Sequence, residues 1–253
     1  MATVTRQIEA GGVPESRWRE SEWLASLPLQ SPAALLAGVQ RLVVLGPHSD
    51  DEILACGGLL ASAQASDTPV LVISVAVGEG CCPGQLQWPP ARPRVMRLTE
   101  LEHGLQSLGL GRRAERMVWQ IAEGAVVAAE EWMEAQLNTV LQAGDLLLVP
   151  WRFDGHADHE ACGRAGLRAA QRQGVAVREY PVWGWHWLDP QAAPRAWPAA
   201  ARYALTAEAS ECKRQALCQL TTPAGEAQGL QCEPILPPPI MARFARHFEV
   251  LIG

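Results

Sequence analysis

The chain has 253 residues, of which 48% are hydrophobic and 19% charged. A length of this order fits one large domain, and the composition excludes a disordered chain, which would be poorer in apolar residues and richer in charge. The 27 Asp and Glu outnumber the 21 Lys and Arg and give a formal net charge of -6, which argues against a general nucleic-acid-binding surface.

Targeting signals and disulfides are not expected. The N-terminal residues lack the basic start and apolar stretch of a secretory signal, and the longest aliphatic runs, such as Val70–Val77, are much shorter than the ~20 residues that span a bilayer. The seven cysteines form no CxxC pair, and we interpret the neighbouring Cys81 and Cys82 as ordinary thiols. We therefore expect a soluble, cytoplasmic protein without an integral membrane segment.

Along the chain, residues 1–37 contain several Trp and Pro and no strand-like run, so we interpret them as an N-terminal extension with a short helix around Glu20–Leu27. Residues 38–253 are expected to form a single domain. From Arg41 onward, short aliphatic runs alternate with helical patterns, which is typical of β-α units around a parallel sheet. The predicted strands are Leu42–Gly46, Val70–Val77, Arg116–Ile121, Asp145–Pro150 and Ala176–Tyr180. The predicted helices are Glu52–Ala65, Arg94–Leu108, Val127–Gln142 and His159–Gln173, the last closed by Gly174. This order predicts a Rossmann-like three-layer α/β/α sandwich with a mostly parallel sheet.

After Tyr180 the sequence is rich in Trp and Pro and is expected to be loop or edge structure. Trp183, Trp185 and Trp187 alternate along it and would share one side of an extended segment. Such a face can stack against a sugar or an acyl chain, but we favour packing, which is the commoner outcome for tryptophan. The tail is predicted to contain a strand at Tyr203–Thr206, a helix with Lys213 and Arg214, a short helix at Met241–His247 and a final strand at Phe248–Ile252.

Polar residues follow the first predicted strand directly. His48, Asp50, Asp51 and Glu52 come between Gly46 and the next helix, at the sheet edge where ligand sites form in such folds. Several carboxylates so close together repel one another unless a positive charge lies among them, and a divalent metal is the strongest such charge. Helix capping is the alternative explanation for the acidic residues, but it does not account for His48.

A second polar cluster follows the predicted strand Asp145–Pro150. It contains His156, Asp158 and His159, so half of the six histidines lie in these two loops, and we expect the other three to be structural. In a parallel sheet both loops open on the same edge. Histidine and aspartate from the two loops supply the N and O ligands that suit Zn²⁺, and three protein ligands leave a fourth position open for water. The pattern indicates a catalytic rather than a structural metal site.

The two segments PHSDDE (Pro47–Glu52) and HADH (His156–His159), in this order and about 100 residues apart, resemble the LmbE-like, or PIG-L, zinc-dependent N-acetylglucosamine deacetylases. The resemblance extends from about Arg41 to Ala176. It implies a metal-dependent hydrolase that removes the N-acetyl group from a small-molecule amino sugar conjugate, using a water activated by zinc or another divalent cation.

The resemblance also implies roles for individual residues. The metal ligands would be His48, Asp51 and His159. Asp50 would be the general base, and His156 would be the electrophilic or general-acid histidine, oriented by Asp158.

Arg97 and Glu100 match the family's Arg-x-x-Glu helix. We favour an exposed ion pair one helical turn apart over a substrate-binding role for Arg97.

Two other functions remain open. One is an amidohydrolase with the same metal chemistry that acts on another N-acylated small molecule, such as a thiol conjugate or a natural product. The other is a non-catalytic α/β binding domain, for which the Gly57-Gly58 pair is a weak sign because no GxGxxG motif is present. No nucleic-acid partner is expected, and the sequence leaves the oligomeric state open, a homo-oligomer included.

Overall fold

A computed structural model describes residues 12–78, 91–227 and 234–253; Cys81, Cys82 and Cys232 lie outside these ranges. The strands are β1 Leu29–Gln30, β2 Arg41–Gly46, β3 Val70–Ser74, β4 Glu115–Val118, β5 Asp145–Pro150, β6 Ala176–Tyr180, β7 Ala201–Ala204 and β8 Phe248–Leu251. The helices are α1 Glu15–Arg19, α2 Glu22–Ser26, α3 Pro32–Leu36, α4 Asp51–Ala65, α5 Ala91–Ser107, α6 Glu130–Val140, α7 Ala157–Gln173, α8 Gly184–Trp187, α9 Ala193–Ala196, α10 Ala207–Leu217 and α11 Pro238–Met241. Within the described ranges, none of the helices is both long and apolar enough to cross a membrane.

The main sheet has five parallel strands in the order β4-β3-β2-β5-β6. Successive side chains of a strand point to opposite faces of the sheet. Accordingly, Leu42 and Val44 of β2 belong to an apolar cluster with α4, α5 and α10, whereas Val43 and Leu45 belong to a second cluster with α6 and α7. Because both faces are covered by helices, the predicted three-layer α/β/α sandwich with a mostly parallel sheet is confirmed.

A second, smaller sheet has the order β1-β7-β8, with β1 parallel to β7 and β7 antiparallel to β8. An antiparallel bridge between Glu179 and Ile252 connects the end of the chain to β6 of the main sheet. The two strands predicted in the tail therefore pair with each other. The expectation that residues 1–37 contain no strand is wrong, because Leu29–Gln30 pairs with β7.

The N-terminal segment packs into the core through Trp18. This side chain is fully buried, stacks on Trp197 with 5.3 Å between ring centroids, and donates from Nε1 to the Trp185 carbonyl oxygen at 2.8 Å. Burial of a large aromatic side chain in this way joins the segment to the C-terminal half of the chain. The division at residue 37 stays a prediction.

The stretch after Tyr180 is not the extended or irregular segment that we predicted. It contains α8 and α9, and the indoles of Trp183, Trp185 and Trp187 therefore do not lie along one side of a strand. The cause is the buried Asp154 carboxylate, which accepts the backbone N–H groups of Val182, Trp183 and Gly184 at 2.8–3.0 Å. Those of Trp183 and Gly184, the N-cap and first residue of α8, are among the N–H groups that a helix start leaves without partners.

Some helix boundaries also differ from the prediction. The helix predicted at Met241–His247 instead ends at Met241 and begins at Pro238, because proline is favoured in the first turn of a helix. The helix predicted from Val127 begins as a 3-10 turn and becomes α-helical at Glu130. The predicted C-cap of α7 is confirmed, since Gly174 has the left-handed φ of 65°.

Strands β2 and β5 are hydrogen-bonded neighbours, so the loops that follow them adjoin at one edge of the sheet. Helix α4 begins immediately after the first loop and α7 immediately after the second. At the end of β2, a Cβ on Gly46 would lie 2.3 Å from Glu52 Cδ, so the absence of a side chain at Gly46 leaves room for the buried Glu52 carboxyl. The fold thus brings the two predicted polar clusters to one place.

Candidate active site

The loops after β2 and β5 bring three of the predicted residues together. One ligand atom from each of His48, Asp51 and His159 lies within 4.8 Å of the other two. His159 is fully buried and Asp51 is nearly so. A group of two imidazoles and one carboxylate at this spacing can hold a metal ion.

Asp51 lies at the centre of this group. Its Oδ2 accepts the backbone N–H of His48 at 3.0 Å and lies 3.3 Å from His48 Nδ1 and 3.4 Å from His159 Nε2. Burial opposes ionisation of Asp51, but the neighbouring His159 and His48 outweigh it and lower its pKa to about 2. The carboxylate is therefore anionic at neutral pH, as a metal ligand must be.

His159 is oriented from behind by Asp154, which the sequence analysis missed. Nδ1 of His159 lies 2.9 Å from Asp154 Oδ2, and both side chains are fully buried. A carboxylate that holds the outer nitrogen of a histidine fixes the ring and leaves Nε2 directed at the ligand position. The available signal was a carboxylate five residues before His159 in the same loop.

The donor set fits a divalent metal. Both ring nitrogens of His159 are buried and neither makes a hydrogen bond of good geometry among the described residues, although Nδ1 lies 2.9 Å from Asp154 and Nε2 lies 3.4 Å from Asp51. A buried polar atom without a hydrogen bond is costly, and on the Nε2 side the neighbouring groups are the proposed ligands His48 and Asp51. A metal ion bound between the three side chains would satisfy Nε2. Two nitrogens and one oxygen are the donors that zinc takes in catalytic sites. A second group, His48, His156 and Asp158, meets the same spacing.

Asp50 occupies the N-cap position of α4, but its side chain makes no capping hydrogen bond. Instead its Oδ2 lies 2.8 Å from Arg97 Nη2 of α5. The simple capping explanation for Asp50 is therefore wrong. The expected exposed pair of Arg97 with Glu100 is also wrong, because Arg97 is only 3% exposed. Its face of α5 is turned toward the loop that carries Asp50.

His156 is the N-cap residue of α7, and its Nδ1 accepts the backbone N–H of Asp158 at 3.2 Å. The expected pairing of the Asp158 carboxylate with His156 is not what the structure shows, since Asp158 Oδ2 lies 3.3 Å from His48 Nε2. In the first turn of α7 this side chain points to the neighbouring loop. Burial and the nearby His159 and His48 lower the pKa of His156 to about 3, so its ring is neutral.

Glu52, the last acidic residue of the first cluster, lies apart from the proposed ligands. It is fully buried and accepts a hydrogen bond from Ser74 Oγ at 2.5 Å. Burial raises its pKa to about 8, so the carboxyl is largely protonated at neutral pH. Glu52 supports the junction of α4 with β3.

A cavity of about 370 Å³ opens over this group. Its polar lining consists of His48, Asp50, Asp51, Arg97, Glu123, His156 and Asp158, and its other lining residues are Leu54, Gly124, Val182, Trp183, Ile235 and Leu236. Trp183 therefore lies at the cavity, whereas Trp185 packs against Trp18 and Trp197. All six residues predicted for catalysis or metal binding, and Arg97, lie at this cavity or directly beneath it.

The GlcNAc-PI de-N-acetylase (PIG-L) family model matches residues 43–170, which is half of the chain. None of the curated protein sequences matches the chain. Among solved structures, the antibiotic A40926 pseudoaglycone deacetylase is 22% identical over 85% of this chain and 96% of its own, with a TM-score of 0.60.

Two further solved structures have the same fold. The zinc-inhibited form of teicoplanin deacetylase is 17% identical over 72% of this chain and 84% of its own, with a TM-score of 0.57. A conserved protein from Thermus thermophilus is 19% identical over 85% of this chain and 94% of its own, with a TM-score of 0.58.

Proposed function

Because the chain belongs to the GlcNAc-PI de-N-acetylase (PIG-L) family of deacetylases, we propose that it removes the N-acetyl group from an N-acetylglucosamine-type amino sugar conjugate. Zinc, or another divalent cation, would be the cofactor. The observation that carries the proposal is the meeting of His48, Asp51 and His159 within 4.8 Å beneath a cavity that Asp50 also lines.

The residues divide into ligands and reacting groups. His48, Asp51 and His159 would hold the metal, which supplies polarisation of the amide carbonyl and a lowered pKa for an attacking water. Asp154, 2.9 Å from His159 Nδ1, would hold the ring so that Nε2 is free to bind the metal. The Asp50 carboxylate faces the cavity and contacts Arg97 instead of the ligand group, so it is left to act on the substrate.

Asp50 would accept the proton of the attacking water. A carboxylate beside the cavity is a suitable general base, because it can take this proton as the oxygen bonds to the amide carbon. The same carboxyl can then return the proton to the nitrogen when the C–N bond breaks. The products are acetate and a free amino sugar, and no other reactant is needed.

His156 would stabilise the oxygen of the tetrahedral intermediate. Its Nδ1 accepts a hydrogen bond from the backbone, so in the neutral ring the hydrogen is on Nε2 and can be donated toward the cavity. The low pKa favours this electrophilic role over that of a cationic acid. Asp158 lies 3.3 Å from His48 Nε2 and would orient the proposed metal ligand His48.

Replacing the base tests the proposal. We expect Asp50→Asn to lower acetate release from N-acetylglucosamine conjugates by at least about 100-fold, as for loss of a general base. Metal content should stay near one ion per chain, because Asp50 is not among the proposed ligands. Asp189→Asn, at an exposed carboxylate, is the matched control. Full activity of the Asp50 variant would remove this residue from the mechanism.

Removal of the metal is a second test. Dialysis against a chelator should abolish acetate release, and added Zn²⁺ should restore it, because the protein would supply no comparable polarisation of the carbonyl. The assay should include N-acylated thiol conjugates and acylated natural products beside the amino sugars. Turnover of one of those compounds alone would keep the metal chemistry but reject the amino sugar substrate.

A further inference from the structure

The carboxylate proposed as the base is held by an arginine that is itself buried. Arg97 Nη2 lies 2.8 Å from Asp50 Oδ2, with Arg97 3% and Asp50 7% exposed. The two residues come from different elements, the start of α4 and the first half of α5. The direction of the Asp50 carboxylate therefore depends on where α5 places the Arg97 guanidinium.

The backbone after β3 confines the same guanidinium. Gly78 has a φ of +77°, and a Cβ at this position would lie 2.7 Å from Arg97 Nε. Glycine is required there both for the conformation and for the close approach. Arg97 thus lies between this backbone and Asp50.

Glu100, one turn further along α5, closes the other side. Its Oε2 lies 3.8 Å from Arg97 Nη1. Its Oε1 accepts three hydrogen bonds, from Thr221 Oγ1 at 2.6 Å, Thr222 N at 2.7 Å and Thr222 Oγ1 at 2.7 Å. Both threonines belong to the segment after α10. Three donors on one oxygen fix the carboxylate and leave Oε2 facing the arginine.

We propose that Arg97 orients the Asp50 carboxylate toward the reacting water, an inference that rests on the proposed function. Arg97 is in turn positioned by Glu100. Glu100 is held by Thr221 and Thr222. Glu100 and Thr222 are positioning residues in this series of contacts, because neither lines the cavity. An arginine side chain has many rotamers, and a second carboxylate restricts them. A misplaced base lowers the rate steeply, since an error of about 1 Å can cost about 100-fold.

The test separates positioning from binding and from folding. In Glu100→Gln, an amide nitrogen can replace the oxygen that faces Arg97, so kcat for acetate release from N-acetylglucosamine should fall about 10- to 100-fold. KM should change less than about twofold, because a group that acts on the transition state alone leaves substrate binding intact. Thr222→Val should lower kcat about 2- to 10-fold, as for one lost hydrogen bond. Thr222→Ser should restore it.

Thr99→Val is the control, since this exposed hydroxyl on the same helix bonds only to the Val95 carbonyl oxygen in the described contacts. Metal content should be the same in all four variants. The proposal would be overturned if Glu100→Gln lowered the unfolding midpoint but left kcat, measured per folded and metal-loaded molecule, unchanged. Glu100 would then contribute to stability alone. A rise in KM alone would also overturn the proposal, because it would make Arg97 a substrate contact.

A crystal structure of Glu100→Gln gives an outcome that does not need turnover. The Arg97–Asp50 contact should lengthen beyond hydrogen-bond distance. An unchanged contact would overturn the proposal that Glu100 positions Arg97. Wild-type protein that releases no acetate from any tested conjugate would instead overturn the proposed function. The crystal structure of the variant would still show whether Glu100 positions Arg97.

Discussion

Asp50 and Asp51 are adjacent in the chain but lie in different surroundings. Asp50 is the N-cap residue with a non-helical φ of -145°, whereas Asp51 is the first residue of α4, so their side chains project in different directions. The Asp51 carboxylate faces His48 and His159, whereas that of Asp50 faces Arg97. This separation lets one turn of backbone supply both a proposed metal ligand and a proposed base.

Asp154 shows at the same scale how one buried carboxylate serves two purposes. It contacts His159 Nδ1 and also accepts N–H groups at the start of α8. We predict that Asp154→Asn weakens zinc affinity about 10- to 100-fold, because the amide holds the imidazole less firmly. Competition with a chelator of known affinity measures this. Asp189→Asn should leave zinc affinity unchanged, and an equal loss in both variants would contradict the orienting role.

At the scale of elements, buried polar contacts join α4 to the C-terminal strand β8. Glu249 of β8 accepts the N–H groups of Gly58 and Leu59 in the middle of this helix, at 2.7 and 2.8 Å. Lys213 Nζ of α10 lies 2.6 Å from the same carboxylate, and both charged side chains are buried. The helix that begins with the proposed catalytic aspartates is thereby fixed to α10 and β8. A Cβ on Gly57 would lie 3.2 Å from Lys213 Cγ and one on Gly58 2.3 Å from Leu205 Cδ1, so the glycine pair serves this packing.

We predict that Lys213→Met lowers the free energy of unfolding by about 3–5 kcal/mol, because it leaves the Glu249 carboxylate buried without its countercharge. Urea denaturation measures the loss. The neighbouring Arg214→Met is the control, since Arg214 pairs with Glu211 at the surface and surface pairs contribute little. Equal stability of the two variants would mean that the buried pair is dispensable.

At the scale of the whole molecule, the N-terminal segment and the C-terminal sheet close one side of the main sheet together. Trp18 packs with Trp185 and Trp197, and Leu29–Gln30 pairs with β7. The segment therefore contributes to the same apolar core as α4 and α10.

Trp18→Ala should lower the free energy of unfolding by about 3–5 kcal/mol, as for other large buried aromatic side chains. The expected result for Trp132→Ala is a much smaller loss, because Trp132 is 45% exposed. Thermal or urea unfolding of both variants makes the comparison. A loss for Trp18→Ala that is no larger than that for Trp132→Ala would contradict the expected contribution of the buried Trp18 side chain.

The amino-acid sequence by itself determined the alternation of strands and helices, the parallel sheet and the two polar clusters. Aliphatic runs and helical periods are local signals, and a parallel sheet brings the ends of neighbouring strands to one edge. Residues that follow β2 and β5, such as Asp51 and His159, are therefore expected from the sequence alone to lie close together.

Only the tertiary structure decided which partner each charged side chain has. An Arg-x-x-Glu pattern such as Arg97 and Glu100 looks the same on an exposed and on a buried helix face, and no local period links Asp154 with His159. The second sheet was not predicted for a related reason. Its two-residue strand Leu29–Gln30 is too short to show an alternation of apolar and polar residues. Burial and long-range pairing depend on how the elements pack, and packing brings together residues whose sequence neighbourhoods carry no sign of each other.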